Sequence, residues 1–496
     1  MTKSIVVVGG GTAGWMAALM AKQVYPTMKV TVIESSDIGI LGAGEGTTPH
    51  FVNFLDYVEI AITDIISDVK LTFKNSIKFD NWNGDGKAYH HPFDSIGDLD
   101  PFNYQGGLLV DTVLDAGLNL DSISIASLLE NTHRVPAVFK NKVLEGNENI
   151  LNNVDFLCNW GIHFDANKMA SALSRIGIQR GIERIDAEVS SCEMVDGSIC
   201  KLFLKNGKFK KVDFLFDCTG FARKFLGGEL KATWESFSDF LPMKQAVPFF
   251  LPHDNNVDAR TDAIAMKYGW VWKIPVRDRY GCGYVFDSDY ITAEEALAEA
   301  SEYFSVKLES PRVFKFSPGC YRETLIGNCM AAGLSQGFVE PLEATSLMTS
   351  FLSLRAMLEF GIFADRSESA VQRFNNKIFE RNVAIADFIH MHYLTSRKDS
   401  PFWCEFKNKN KTPEEVVDLM SNFKSGRCLG EWQAVFPVQS WTYVLSGLGH
   451  KVKPNELFLR DNETAQLVAN NQQRMANASV SHKLLLQYLL SKEKNT

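Results

Sequence analysis

Four consecutive apolar residues, Ile5, Val6, Val7 and Val8, end at a run of glycines. Trp15, Met16, Ala17, Ala18, Met20 and Ala21 then recur at helical spacing, and a second apolar run occupies 30–34. Strand, turn, helix and strand in that order predict a βαβ unit and a parallel sheet covered by helices. Between 71 and 80, Leu71, Phe73, Asn75, Ile77 and Phe79 alternate with Thr72, Lys74, Ser76, Lys78 and Asp80. That is the period of one strand with a single buried face. Residues 201–216 read as a hairpin turning at Asn206 and Gly207, its second arm running directly into Asp217. From about residue 340 the spacing becomes helical, through 346–360 and 370–393, and the remainder mixes short loops with helices at 412–423 and 465–492.

Composition narrows the class without choosing a chemistry. With 45% hydrophobic and 22% charged residues the chain is an ordinary globular one, not a disordered or collagen-like one. Its net charge of −8 and the lack of long like-charge blocks argue against a nucleic-acid partner. No apolar run approaches the roughly 18 residues a membrane span needs. The N-terminal run is short and ends in glycine, which suits a buried strand rather than a leader. Nine cysteines without a CxxC pair give no zinc signature, and the odd count fits a reducing, cytoplasmic setting. No metal site is expected.

Gly9, Gly11 and Gly14 satisfy GxGxxG between a strand and a helix, with Thr12 and Ala13 in the turn. Such a turn lets backbone N–H groups approach a pyrophosphate at the helix N-terminus. Glu34 ends the second strand, where a carboxylate accepts hydrogen bonds from a ribose. Asp217, Cys218, Thr219 and Gly220 after an apolar strand, and Gly327 and Asn328 leading toward Gly333, suggest FAD rather than NAD. Each of these two is equally readable as an ordinary strand-ending turn. No second GxGxxG occurs, so the flavin is expected already reduced, from a separate reductase. Trp270 and Trp272 share one face of a strand through Ile274, which Pro275 is expected to end.

Several strings together resemble the flavin-dependent halogenases of the tryptophan-halogenase type. They are the glycine turn with Trp15, the segment 42–49 (GAGEGTTP), Phe73-Lys74 with Ile77-Lys78-Phe79, and His163-Phe164-Asp165-Ala166. Trp270-Val271-Trp272-Lys273-Ile274-Pro275, the segment 338–345 (FVEPLEAT), Asp387-Phe388-Ile389 with His392-Tyr393, and Ser400-Pro401-Phe402-Trp403 complete the set. The landmarks run in order from residue 6 to about 448.

The resemblance implies an α/β fold. An FAD-binding, Rossmann-like domain with a mixed sheet would occupy 1–360, with substrate-side insertions at about 71–150 and 222–315. A mainly helical substrate-covering region would follow at 361–496. It implies that reduced FAD and O2 form a flavin hydroperoxide that converts halide to hypohalous acid, which passes through a tunnel to Lys74 beside an aromatic substrate. Glu343 would polarise the oxidant and take the proton lost from the ring. The N–H groups of Thr345 and Ser346 would bind halide. Glu45, Val189, Leu334 and Leu347 join the glycine turn and Glu34 around the cofactor. Trp270, Trp272, Ile274 and Pro275 would wall the tunnel, with His91, Phe93 and Phe436 at the substrate. Lys78 is expected on the same strand face as Lys74, about 13 Å away at strand rise.

The chain departs from the free-tryptophan enzymes at several positions. Ser346 stands where glycine is usual, Gly46 where alanine or serine is usual, and Phe436 where a sandwiching tryptophan is usual. The tyrosine pair that holds the amino-acid portion is absent from 420–430, although Glu431 remains. A zwitterion without placed polar partners binds poorly, so an indole, phenol or related arene is expected instead of free tryptophan. Bromide and iodide are candidate halides beside chloride. The reductase is expected to act in trans; the oligomeric state is open. Two alternatives stand: an aromatic monooxygenase, and a flavin-binding protein without turnover.

Overall fold

The computed structural model describes residues 4–39, 45–93, 112–114, 116–140, 153–253, 256–310, 312–359, 366–424, 435–450 and 462–493. The chain divides into two compact units. The first comprises Met1–Lys70, Phe164–Ser238 and Phe316–Val383; the second comprises Leu71–His163, Asp239–Lys315 and Ala384–Thr496.

The first unit is built on a six-stranded sheet in the order Glu183–Asp186, Lys29–Glu34, Ser4–Val8, Phe214–Asp217, Cys329–Ala331, Leu325–Ile326. All neighbours are parallel except the last pair. Ile5, Val6 and Val7 are fully buried, as strands covered on both faces must be, which is why 5–8 reads as a continuous apolar run. Helix Thr12–Val24 packs against Ala166–Gln179 and Thr345–Glu359. The strand order reverses at Ser4–Val8, so the glycine turn that follows it lies at the topological switch point, where open α/β sheets bind ligands.

The hairpin is present as Ser198–Leu204 and Phe209–Lys211, with Gly207 at φ +79. Its second arm does not run on to Asp217, however. After Lys211 the chain leaves it, and Phe214–Asp217 pairs with Ser4–Val8. The apolar Phe214, Leu215 and Phe216 are buried on both faces of the parallel sheet, a place a partly exposed hairpin cannot provide.

The second unit contains a seven-stranded, mainly antiparallel sheet. Its order is Phe314–Lys315, Gln245–Leu251, Arg279–Phe286, Gly269–Val276, Arg260–Met266, Ser76–Asp80, Ala88–Pro92. Val247, Phe249, Val271, Tyr284 and Phe286 form one core with Ala296 and Ala300 of helix Ala293–Phe304. The stretch 465–492 is two helices, Asn462–Ala478 and His482–Glu493, parted by the short strand Val480–Ser481. Pro275 lies inside strand Gly269–Val276 instead of terminating it.

The single strand expected over 71–80 is two. Asn75 breaks it: its N–H donates to Ala259 O at 2.7 Å and its carbonyl accepts Phe93 N–H at 2.9 Å. Thr72–Lys74 pairs with Gly161–Phe164, whereas Ser76–Asp80 enters the seven-stranded sheet. Thr72, Lys74 and Ser76 are as buried as the apolar set, so the alternation reports one buried face only after residue 77. Lys78 therefore does not share a strand face with Lys74. It pairs with Glu130 at 2.8 Å.

Among the described residues no helix is long and apolar enough to cross a membrane. Their cysteines are free, and no group of three metal-ligating side chains occurs.

His163, His390 and His482 are fully buried in the second unit, and burial pushes all three below the usual imidazole range, His390 and His482 to about 4. The unfolded chain takes up these protons near pH 6.5, whereas folded His390 and His482 stay neutral until about pH 4 and His163 until well below 6.5. Stability is thus complete above pH 6.5 and declines as pH falls toward 4. Asp387 works in the opposite sense, since burial and Glu415 raise its carboxyl to about 7. Replacing His390 with Gln is expected to flatten the decline by about 1.4 kcal/mol per pH unit, read from urea midpoints between pH 5 and 6.5. An unchanged slope contradicts a neutral buried His390.

Candidate active site

In the first unit the glycine turn is shaped by close approach. Gly9 has φ +116, and a side chain there would meet Cys218 O at 2.0 Å. A Cβ on Gly14 would lie 1.9 Å from Gly9 O. One on Gly10 would lie 1.3 Å from Glu34 Oε2, so the Glu34 carboxylate lies directly across the turn. Gly11 faces open space and caps helix Thr12–Val24 without any side-chain cap or first-turn acid. Thr12 is 5% exposed, yet its hydroxyl has no hydrogen-bond partner among the described residues. An uncapped helix N-terminus with an orphaned buried hydroxyl fits a pyrophosphate.

Around this turn, Glu34 accepts a hydrogen bond from Arg184 on the neighbouring strand. Val189 is buried, and its carbonyl accepts the Lys224 ammonium. Gly333, at φ +67, would carry a Cβ 2.7 Å from that of Ala13, which places the 3-10 turn Gly333–Ser335, with Leu334, against the glycine turn. Asp217 is buried and accepts from Thr219 N and Oγ1, Phe225 N and Leu226 N. It braces the turn that closes its strand. Asn328 likewise ties a hairpin turn to Ile199 in both directions. Both residues do the structural job of the two readings left open for them.

Glu343 ends the 3-10 turn Pro341–Glu343 and is 1% exposed. Ala344 follows in the left-handed region at φ +54, then helix Thr345–Glu359 begins. Glu343 therefore precedes that helix by a sharp turn. Thr345 and Ser346 open the helix, where N–H groups have no partner within the helix, and Leu347 is buried behind them. Residues 42–44 and Glu431 lie outside the described residues. Glu45 begins a two-residue strand, but its side chain is outside the description.

In the second unit Lys74 is 1% exposed, with Nζ 5.1 Å from the Phe93 ring centroid. Trp270 and Trp272 meet edge to face at 6.4 Å, and both indole N–H groups are buried without a hydrogen-bond partner among the described residues. Trp272 lies flat on Gly283, where a Cβ would come within 2.1 Å of its ring. Ile274 is buried on the same strand, and the Pro275 carbonyl accepts the Thr72 hydroxyl at 2.5 Å. The strand carrying the tryptophans is thus tied to the strand carrying Lys74.

The adjacent histidines separate cleanly. His90 faces Glu130 at 3.4 Å, and His90 and Lys78 hold that carboxylate well below its usual range. His91 instead points at aromatic rings, 5.5 Å from Phe388 and 6.2 Å from Phe436. Phe436 is buried and stacks on Phe388 at 3.9 Å and 17°, with Trp441 edge-on to Phe388 at 4.9 Å. Sequence reasoning assigned no site role to Phe388, Trp441 or Arg184. Phe388 lay within a matched string and stands one helical turn before His392, but nothing local marks a ring that packs on a residue 48 positions away.

The tryptophan halogenase family profile matches residues 4–461. Tryptophan 7-halogenase RebH of Lentzea aerocolonigenes is 32% identical over 415 residues, 80% of this chain and 78% of that protein. The crystal structure of tryptophan 6-halogenase SttH from Streptomyces toxytricini superposes with a TM-score of 0.87 at 26% identity, over 98% of this chain and all of that one. BrvH, a flavin-dependent halogenase from Brevundimonas sp. BAL3, gives 0.85 at 27%, over 99% of both chains. A switch-point glycine turn that fits a dinucleotide, a buried lysine strand and a match over nearly the whole length place this chain in the tryptophan halogenase family, as a flavin-dependent halogenase.

Proposed function

We propose that the chain uses FADH2, delivered by a separate reductase, to halogenate an electron-rich arene. When bound, FADH2 would supply two electrons and two protons, with which halide, O2 and one further proton become hypohalous acid and water, leaving FAD. The arene then exchanges a ring hydrogen for halogen, releasing a second water. In the first unit, the glycine turn with Thr12 holds the pyrophosphate and Glu34 the ribose. Val189, Leu334, Leu347 and Glu45 line the cofactor, and Thr345 and Ser346 hold halide through their N–H groups.

The Lys74 ammonium holds hypohalous acid by a hydrogen bond that makes its halogen electrophilic, and Glu343 accepts the ring proton. Trp270, Trp272, Ile274 and Pro275 keep the oxidant in dry, apolar surroundings. His91, Phe93 and Phe436 meet the arene. Phe436 stacked on Phe388 offers flat apolar faces, which supports an indole, a phenol or a similar arene.

The observation that carries the reading is Lys74 itself: a fully buried lysine beside an aromatic ring, on a strand bound to the tryptophan strand. Buried lysines are rare because desolvating an ammonium is costly. The test supplies a generic flavin reductase and a panel of small indoles and phenols in chloride, bromide and iodide separately. Halide-dependent products with the halogen isotope pattern are expected. A halide-independent gain of one oxygen identifies a monooxygenase, and reduced flavin consumed without hypohalous acid identifies a protein without halogenase turnover; either result sinks the proposal.

A further inference from the structure

The strand Thr72–Lys74 is three residues long and lies at a sheet edge. Among the described residues its strand neighbour is Gly161–Phe164, with Phe73 opposite Ile162 and Lys74 opposite Gly161. So short an edge strand has little to hold it in place and leaves backbone donors facing outward. One buried histidine takes an outward donor that a second strand would have taken, and another, His163 on the paired strand, ties the Thr72 side chain.

His482, at the start of helix His482–Glu493, takes the outward donor: Phe73 N–H donates to its Nε2 at 3.0 Å. Because Nε2 accepts, the ring proton is on Nδ1, which donates to Val257 O at 3.1 Å. The ring also packs on the Phe73 ring, centroids 5.9 Å apart. At the other end of the strand, Thr72 Oγ1 gives its one proton to Pro275 O. It therefore accepts from His163 Nδ1 at 3.0 Å, and Nε2 of that ring accepts from Thr261 Oγ1 at 2.9 Å. Each imidazole is neutral, with one donor and one acceptor nitrogen, and every nitrogen is used.

We propose that His482 is a positioning residue for Lys74, which makes the C-terminal helix part of the halogen-transfer apparatus; this rests on the reading that Lys74 delivers halogen to the arene. A lysine side chain has four rotatable bonds, and halogen transfer demands placement of its ammonium to a fraction of an ångström. Fixing the N–H of Phe73, the residue before Lys74, removes one source of error, the drift of the adjoining backbone. His163 acts in parallel through Thr72 and holds the far end of the strand.

The test compares His482→Leu, His482→Asn and His482→Gln. A glutamine amide reaches the place of Nε2, whereas an asparagine amide, one methylene shorter, matches only Nδ1. In His482→Leu and His482→Asn, kcat for arene halogenation is expected to fall about 10-fold or more while the arene KM moves little and hypohalous acid forms at the wild-type rate. Hydrogen exchange of the peptide containing Phe73 is expected to accelerate in both. His482→Gln is expected to restore both readouts.

Wild-type kcat and exchange in the Asn variant overturn the proposal. So does an equal loss in all three variants, which marks a merely structural histidine. Should His482→Leu fail to fold, the Gln and Asn pair decides alone. The exchange measurement needs no turnover. It therefore separates a failure of this inference from a failure of the Lys74 reading, which would appear instead as halogenation surviving Lys74→Ala.

Discussion

Lys74→Met and Lys74→Ala are each expected to lower arene halogenation by at least roughly 10²–10³-fold, the size of effect seen when one preorganised donor to a reacting group is removed. FAD binding and hypohalous acid formation should remain at wild-type levels, because the groups proposed for them belong to the first unit while Lys74 belongs to the second. The Met variant is the decisive one. It keeps the length and most of the volume of a side chain that is 1% exposed and packed over Phe93, so an equal loss in Met and Ala cannot be assigned to a cavity. Removing a buried ammonium also removes its desolvation penalty. The Met variant should therefore melt no lower than wild type, the usual sign of a residue kept for function at some expense of stability. Halogenation at the same carbon and near the wild-type rate in Lys74→Met would refute the assignment.

Glu343→Gln is expected to reduce the halogenation rate by roughly 10²–10⁴-fold, the range for loss of an acid–base group. Glutamine keeps the shape and hydrogen-bonding reach of the side chain and loses only its ability to take a proton. The residue is 1% exposed at the end of the turn Pro341–Glu343, and the left-handed Ala344 directs the chain straight into helix Thr345–Glu359. Deep burial of a carboxylate just outside a helix is not what capping requires, since an acid helps a helix equally well from its exposed first turn. A rate unchanged in Glu343→Gln, with a lowered melting temperature, would return the residue to a structural part. Hypohalous acid formation measured without arene then locates the defect: a loss there assigns Glu343 to the oxidant, and a loss confined to the arene step assigns it to the ring proton.

The parts of the fold legible beforehand share one property: their cause is local. The apolar run 5–8 followed by glycines could only be a buried strand entering a tight turn, and it is. Asn206 and Gly207 announced the hairpin turn because Gly207 adopts a positive φ. The paired tryptophans marked a strand face, and Trp270 and Trp272 share it. Predictions failed where polarity was taken for exposure. Thr72 and Ser76 alternated with apolar residues and so read as the unburied face of one strand. Thr72 is buried because its partners His163 and Pro275 lie 91 and 203 positions away. His90 and His91 are neighbours in the chain, yet they face a carboxylate and an aromatic cluster respectively, a difference set by distant partners.

By itself the amino-acid sequence determined the βαβ opening, the glycine turn and the order of landmarks that mark the family, since short-range sterics and the spacing of residue types suffice for these. Only the tertiary structure decided that Asn75 splits the strand of Lys74, that His482 holds its outer edge, and that Phe436 lies on Phe388. Those outcomes depend on which distant groups satisfy a buried donor or cover an apolar ring. That matching is made when the chain packs, and no window of neighbouring residues contains it.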